Sequence, residues 1–280
     1  MHLCNPTTSL ALIASSCFPA RRLPDHPLCL LDEGSNALTV LGGALARMSE
    51  SQEDSSTGWT QQGPSWLLLP PSVPWAVVHF VGGAGFGANP RLCYGELLSS
   101  ISRRLGVAVI ATPYQLSTDH DTLSRAVHND FSNALAACQE ACTIPSTAPV
   151  YRLGHSLGAK LLVIGALQRP VLPSAAPPTS MGNHGSAAGL GLLAFNNFGL
   201  EDSAALAADV LADLQGGERG EATARAVLEV FSTVQQFASA TGVGPSLEVT
   251  PSPLDLEEAV SRRYAAPETS LWRFEDDTLE

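Results

Sequence analysis

The sequence is short of charged residues and has no basic excess, and both shortages restrict what the protein can be. Only 15% of its 280 residues are charged and 45% are hydrophobic, which is typical of a soluble protein with a large buried core. The formal net charge is -12. Binding to nucleic acid requires concentrated positive charge, so we expect no nucleic-acid partner. The surplus of carboxylates favours solubility and does not indicate a partner.

The sequence also lacks long hydrophobic runs. No stretch approaches the roughly 18 consecutive apolar residues that a membrane-spanning helix requires, so no transmembrane segment is expected. The length allows one large α/β domain or two ordinary domains.

The cysteines lack the paired spacing of a zinc site. None of them forms a CxxC pattern, and a disulfide between Cys138 and Cys142 on one helix face would be strained. We therefore expect buried or free thiols in a reducing compartment, and neither a metal nor another cofactor. The six cysteines are Cys4, Cys17, Cys29, Cys93, Cys138 and Cys142.

The first 24 residues contain no acidic side chain. They include several serines and threonines and the pair Arg21-Arg22, a composition typical of an organelle transit peptide. The alternatives are a secretory signal with residues 9–16 as its apolar part, or a disordered or misannotated start. Residues 1–48 are expected to be disordered, and residues 49–65, rich in Ser, Gln and Gly, to link them to the folded domain.

From residue 66 onward, short apolar runs alternate with segments of helical periodicity. This alternation predicts a mostly parallel α/β sheet with helices on both faces, and Gly106 is expected to end the first helix. The Ala-rich segments within residues 200–260 form either a helical cap over the carboxyl edge of the sheet or ordinary covering helices. The predicted strands are 66–69 (as an edge strand), 75–81, 107–111, 149–153, 190–195 and 270–274, and the predicted helices are 92–105, 122–142, 158–168, 201–215 and 221–240.

One pentapeptide, Gly154-His155-Ser156-Leu157-Gly158, has the spacing of a nucleophile elbow. A serine hydroxyl is a poor nucleophile unless it is held exposed beside a base, and a sharp strand-to-helix turn provides that exposure. The glycines at both ends avoid clashes between the strand, the turn and the helix. An apolar strand precedes the pentapeptide and a helical segment follows it, as the motif requires. The sequence therefore predicts an α/β-hydrolase-type fold with Ser156 as its nucleophile.

A glycine-rich loop, VGGAGFGA over residues 81–88, follows the strand before the first helix. Glycines allow backbone N–H groups to approach a developing negative charge, so Gly83 and Ala84 are predicted to supply half of an oxyanion hole. The N–H of Leu157, the residue after the nucleophile, is the second donor. A dinucleotide site fits poorly, because the loop lacks the GxGxxG spacing. An ordinary flexible turn is the other alternative.

The acid and the base of a catalytic triad are harder to find. In this fold the acid follows the serine along the chain, and the histidine follows the acid. Asp277, with Asp276 as second choice, comes after the last predicted strand, although two solvated acids near a chain end would give the same pattern. No histidine follows Asp277. His79, His155 and His120 are secondary candidates, because direct hydrogen-bond reach to the serine is not expected for any of them. His79 is expected to orient the glycine-rich loop, and His155 to point away from the partner of the serine.

Several segments, in this order along the chain, resemble one family. HFVGGAGFGANPRLCYGELL, VIATPY, GHSLGAKL, AFNNFGL and the final WRFEDDTLE are similar to the uncharacterised α/β-hydrolase-like family called domain of unknown function 1350, which occurs in cyanobacteria and in plastid-bearing plants and algae. The resemblance covers about residues 66–280. It implies an α/β-hydrolase core and, with the N-terminal composition, a chloroplast location, the cytoplasm being the alternative. It also implies that relatives continue past Asp277 into a helix, a strand and a histidine-bearing loop, so this sequence is expected to be truncated at its C-terminus.

These observations predict a serine hydrolase that acts on an ester, thioester or amide bond of a small or lipid-like substrate. Ser156 would attack, the N–H groups of Leu157 and of the Gly83–Ala84 region would hold the oxyanion, and Asp277 would orient a histidine beyond this sequence. The alternative is a non-catalytic α/β-hydrolase-like scaffold that binds a partner or a lipid.

Overall fold

The computed structural model describes residues 58–168, 187–199, 248–264 and 268–273, with a few further positions between 201 and 225. The strands in these ranges are β1 Trp59–Gln62, β2 Ser65–Leu68, β3 Val77–Val81, β4 Ala108–Ala111, β5 Val150–His155, β6 Gly189–Leu193 and β7 Thr269–Trp272. The helices, numbered within the same ranges, are α1 Pro90–Cys93, α2 Gly95–Leu105, α3 His120–Glu140, α4 Leu157–Leu167 and α5 Pro253–Arg263.

The strands form one sheet in the order β1-β2-β4-β3-β5-β6-β7. Neighbouring strands from β4 to β7 in this order are parallel, whereas β1 pairs antiparallel with β2, and β2 pairs antiparallel with β4. Parallel neighbours need crossover connections, which explains why helices alternate with strands along the chain. The prediction of a mostly parallel α/β sheet is confirmed.

The central strand β3 shows how helices cover both faces of the sheet. Val77 packs in one cluster with Phe131 of α3, and Phe80 packs in another with Leu98 of α2. Side chains of a strand point alternately to opposite faces, so α2 and α3 lie on opposite sides. All five residues of β3 are buried, as expected for a strand enclosed by two helical layers.

The helix predicted over residues 92–105 is divided into α1 and α2 at Tyr94. Gly106 ends α2 in the left-handed conformation, with φ 66° and ψ 36°, and its N–H donates to Ser102 O at 2.9 Å. This C-terminal glycine confirms the predicted helix end. The break at Tyr94 places a tyrosine close to the glycine-rich loop.

One predicted boundary is wrong. The last part of the linker predicted over residues 49–65 is strand β1, which pairs with β2, so β1 and not β2 is the edge strand. For residues 200–260, where a helical cap and ordinary covering helices are the two expectations, the end of the region forms the start of α5. Leu256 of α5 is buried in the core beside Leu161 of α4, so α5 covers the sheet.

Other predictions fall outside the described residues. These include the N-terminal segment, about half of the helix predicted over 201–215, whose described positions are helical, and almost all of the helix predicted over 221–240. Within the described ranges, no helix is both long and apolar enough to cross a membrane.

Candidate active site

Ser156 occupies a sharp turn between β5 and α4. Its φ of 52° and ψ of -121° lie in a region that residues with a side chain rarely adopt, and such strain costs on the order of 1–3 kcal/mol. Backbone hydrogen bonds fix the turn: the Ser156 N–H donates to Leu193 O at 2.9 Å, and the Lys160 N–H donates to Ser156 O at 3.2 Å. The serine is thus held in a strained conformation at the carboxyl edge of the sheet, as in a nucleophile elbow.

The two glycines of the elbow lie where a side chain would collide with the backbone. A Cβ built on Gly154 would come within 2.6 Å of the N and Cα atoms of Ala159. One built on Gly158 would collide with the carbonyl oxygens of Val81 and Gly82. These neighbours are main-chain atoms, so no change of rotamer could make room. Glycine at position 154 lets α4 pack directly against β5, and glycine at position 158 lets it pack against the end of β3.

The glycine-rich loop after β3 lies beside the serine. A Cβ built on Gly83 would be 3.3 Å from Ser156 Cβ. The Gly83 N–H donates to the Tyr94 hydroxyl at 2.9 Å, so this predicted donor is already engaged. The N–H groups of Ala84 and Leu157 make no hydrogen bond within the described part of the chain. Of the donors predicted for an oxyanion hole, these two therefore remain free to bind a ligand.

Two tyrosines hold this loop in place. The Tyr94 hydroxyl, which accepts from Gly83, also lies 3.0 Å from His155 Nδ1. The Tyr94 hydrogen can therefore be donated to that ring nitrogen. Tyr114 donates its hydroxyl hydrogen to Gly82 O at 2.9 Å, and burial raises the pKa of Tyr114, so the group stays protonated as a donor. His155 thus faces the loop through Tyr94 and does not hydrogen-bond the serine hydroxyl.

One residue that the sequence analysis missed contacts the nucleophile directly. The side-chain amide of Asn196 donates to Ser156 Oγ at 3.1 Å. Asn196 comes three residues after β6, which lies next to β5 in the parallel part of the sheet. The carboxyl ends of parallel strands meet at one edge, so polar residues just after a predicted strand were the available signal. Because Asn196 donates, Oγ keeps its own hydrogen for transfer to a base.

The other two histidine candidates are buried and do not hydrogen-bond Ser156. His79 lies in the middle of β3 and not at its end, and its ring stacks on Phe131 with centroids 4.0 Å apart. The structure therefore gives His79 a packing position in the core in place of the expected role at the loop. His120 is the first residue of α3. Burial and the positive charge of Lys160 lower the pKa of His120 to about 4, so it is neutral at pH 7.

The predicted acids, Asp276 and Asp277, lie outside the described residues, so their role stays a prediction. The strand before them, β7, is parallel to β6 and ends at Trp272. The chain therefore leaves the sheet at the edge where the serine lies. Among the residues that the structure describes, no group of three or more His, Cys, Asp or Glu side chains could hold a metal ion.

The model of one protein family, described as Protein of unknown function (DUF1350), matches residues 58–280. A search of curated proteins finds none that matches the chain.

Solved structures with similar folds include three fungal proteins. The siderophore hydrolase EstB from Aspergillus fumigatus is 18% identical, the match covers 65% of this chain and 52% of that chain, and the TM-score is 0.42. Carboxyl esterase 2 from the mycorrhizal fungus Tuber melanosporum is 17% identical, with 79% of this chain and 67% of that chain covered and a TM-score of 0.44. A fungal esterase from Rhizomucor miehei is 13% identical, with 97% of this chain and 79% of that chain covered and a TM-score of 0.45. The chain spans about half the length of the first of these. The likenesses are distant, and the α/β-hydrolase-type fold follows from the chain's own sheet and elbow.

Proposed function

Because the chain belongs to the DUF1350 family of proteins of unknown function, its chemistry has to be inferred from the site, and we propose that it is a serine hydrolase. The observation that carries the proposal is the strained turn at Ser156, whose Oγ accepts a hydrogen bond from Asn196. Strain of this kind is retained where the surrounding structure enforces it, and it is concentrated at functional sites. The reaction class is cleavage of an ester, thioester or amide bond.

In the proposed reaction, Ser156 Oγ gives its proton to the base and attacks the carbonyl carbon of the substrate. The C–O, C–S or C–N bond breaks, the alcohol, thiol or amine leaves with that proton, and a covalent acyl-enzyme remains. Water then hydrolyses the acyl-enzyme, which releases the acid and restores the Ser156 hydroxyl. The N–H groups of Leu157 and Ala84 bind the oxyanion that forms. Each such donor contributes about 100- to 1,000-fold in rate in enzymes of this kind. Asp277 orients the histidine that acts as the base, as the acid does in the triads of this fold.

Apolar side chains on the segments that border the serine support the proposed substrate class. Leu157 next to the serine, Phe195 next to Asn196, and Phe86 in the glycine-rich loop are apolar side chains that are only partly buried. They favour a small or lipid-like acyl group over a strongly charged one. The N-terminal composition supports a plastid as the place of action, as part of the same proposal.

The test is covalent labelling by a fluorophosphonate probe, applied to the full-length gene product. We expect the probe to label Ser156, and labelling to be lost in Ser156→Ala. Ser132→Ala, which removes a hydroxyl on α3 far along the chain from the elbow, is the matched control and should label like the natural protein. If the natural protein is not labelled at Ser156, the hydrolase proposal fails and a non-catalytic scaffold becomes the better explanation.

A further inference from the structure

A lysine is buried one helical turn after the nucleophile. Lys160 is 1% exposed, and its Nζ donates to the backbone carbonyl of Phe198 at 3.0 Å. Within the described part of the chain, no carboxylate lies at ion-pair distance from this ammonium group. Burial lowers the pKa of Lys160 to about 8, because a charge is costly in an apolar environment with only a neutral acceptor. Packing of the core alone gives no reason for a lysine here.

The carbonyl that Lys160 holds belongs to the loop that carries Asn196. This loop, residues 194–199, follows β6, and its first residue has a φ of 44°, which is strained for a residue with a side chain. Asn197 provides a second attachment, because its Nδ2 donates to Pro253 O at 2.7 Å. Asn196 lies between the strained start of the loop and the carbonyl held by the lysine. Its amide position therefore depends on how firmly the loop is fixed.

We propose that Lys160 is a positioning residue, which holds Phe198 O and thereby keeps the Asn196 amide in place against Ser156 Oγ. The inference rests on the proposed hydrolase function. Lys160 and Ser156 belong to the same helical turn. The hydrogen bond from Lys160 to Phe198 O therefore ties the loop of residues 194–199 to α4, the helix that presents the serine. The amide then occupies one acceptor position of Oγ, directs the hydroxyl hydrogen toward the base, and stabilises Oγ as its proton leaves.

Stability and reactivity are expected to respond in opposite ways to loss of the lysine. Lys160→Met keeps most of the side-chain volume and removes a buried charge for which the described residues supply no ionic partner, so the unfolding midpoint should stay the same or rise. Labelling of Ser156 by the fluorophosphonate should nevertheless slow about tenfold, since displacements of about 1 Å at a reacting group can cost 100-fold in rate. If the role of Lys160 were merely structural, its substitution would lower the unfolding midpoint and the labelling rate together.

A double-mutant cycle between positions 160 and 196 tests the inference on the full-length gene product. The rate of Ser156 labelling is measured for the natural protein, Lys160→Met, Asn196→Ala and the double variant. If the lysine acts through the amide, its substitution has no further effect once Asn196 is alanine. Leu135→Ala, a core truncation on α3, is the control: it should lower stability by about 2–5 kcal/mol and leave labelling of the folded protein unchanged.

The outcomes separate this inference from the proposal on which it rests. No labelling of the natural protein overturns both. If the natural protein is labelled and Lys160→Met is labelled at the same rate, only the positioning role is overturned. The same holds if the effects of the two substitutions on the labelling rate multiply in the double variant. If Lys160→Met does not fold, the same cycle is run with Lys160→Gln, whose amide is too short to reach Phe198 O, and the same two results decide.

Discussion

Gly158→Ala is the substitution that tests the packing of the elbow most directly. A Cβ at this position would collide with the carbonyl oxygens of Val81 and Gly82 at the end of β3. The Val81 oxygen belongs to β3, a central strand in which every residue is buried, and the buried Gly82 follows that strand directly, so neither oxygen can move aside locally. The collision can be relieved only if α4 moves away from the sheet, and Ser156 at the start of α4 would move with it.

The expected cost follows from this geometry. Adding a methyl group to a packed core costs about 1–3 kcal/mol when neighbouring side chains can adjust. Here the neighbours are main-chain atoms on both sides, so we expect a loss of about 3 kcal/mol or more in the free energy of unfolding. For a protein of this size, that corresponds to a thermal midpoint lower by roughly 6–12 °C. Labelling of Ser156 by the fluorophosphonate should fall as well, because the turn is displaced from the oxyanion donors.

Thermal unfolding checks the loss of stability, and fluorophosphonate labelling of the same preparations checks the displacement of Ser156. Gly95→Ala is the matched control, since a Cβ built on Gly95 at the start of α2 would meet nothing within 4 Å. That change should leave the midpoint unchanged or raise it slightly, because alanine favours helix over glycine by roughly 0.5–1 kcal/mol. A Gly158→Ala protein with a natural midpoint and natural labelling would refute the close contact between α4 and β3.

Three further predictions concern the loop, the pH dependence and the location. Tyr94→Phe leaves the buried Gly83 N–H without its acceptor, so it should lower the free energy of unfolding measured in urea by about 1–3 kcal/mol and slow the labelling of Ser156. The hydroxyl of Tyr151 makes no described hydrogen bond, so Tyr151→Phe should change neither quantity. The pKa of His120 in the folded protein is about 4, below the ordinary value of 6.5, so between these two pH values the unfolded chain binds more protons than the folded one. The free energy of unfolding should therefore fall as the pH is lowered through that window, by at most about 3 kcal/mol. His120→Gln should remove this part of the pH dependence, and an unchanged slope would contradict the burial of a neutral imidazole. Residues 1–57 fused to a fluorescent protein should direct it into chloroplasts, and a cytosolic signal would contradict the transit-peptide prediction.

The sheet and the elbow could be predicted because their signals are local. Apolar runs bounded by Gly and Pro indicate buried strands, and the glycine spacing around Ser156 specifies a turn whose geometry excludes side chains. Strand β1 was missed because its sequence, WTQQ, is largely polar and only partly buried, so it has no apolar periodicity. Its place in the sheet depends on pairing with β2, which is information that the segment itself does not contain.

Asn196 and Lys160 could not be assigned from the sequence for a different reason. Each acts across the fold: the amide reaches a serine 40 positions earlier, and the lysine reaches a carbonyl 38 positions later. Periodicity assigns a single lysine in an apolar helix to the solvent-facing side, yet this one is buried. Contacts of this kind appear only when the strand order is known, because that order brings β6 next to β5.

Strained backbone conformations lie at the carboxyl edge of the sheet, where the site is built. Among the described residues with a side chain, Ser156 and Ala194 have positive φ at the ends of neighbouring strands β5 and β6. Ala194→Gly relaxes the second strain, so the protein should be as stable as the natural one or more stable, whereas the same change at the exposed helical Ala136 should cost about 1 kcal/mol. The relaxed loop should hold Asn196 less firmly, and labelling of Ser156 should slow while the unfolding midpoint does not fall. Labelling at the natural rate in Ala194→Gly would mean that the strained start of the loop has no part in placing the amide against the nucleophile.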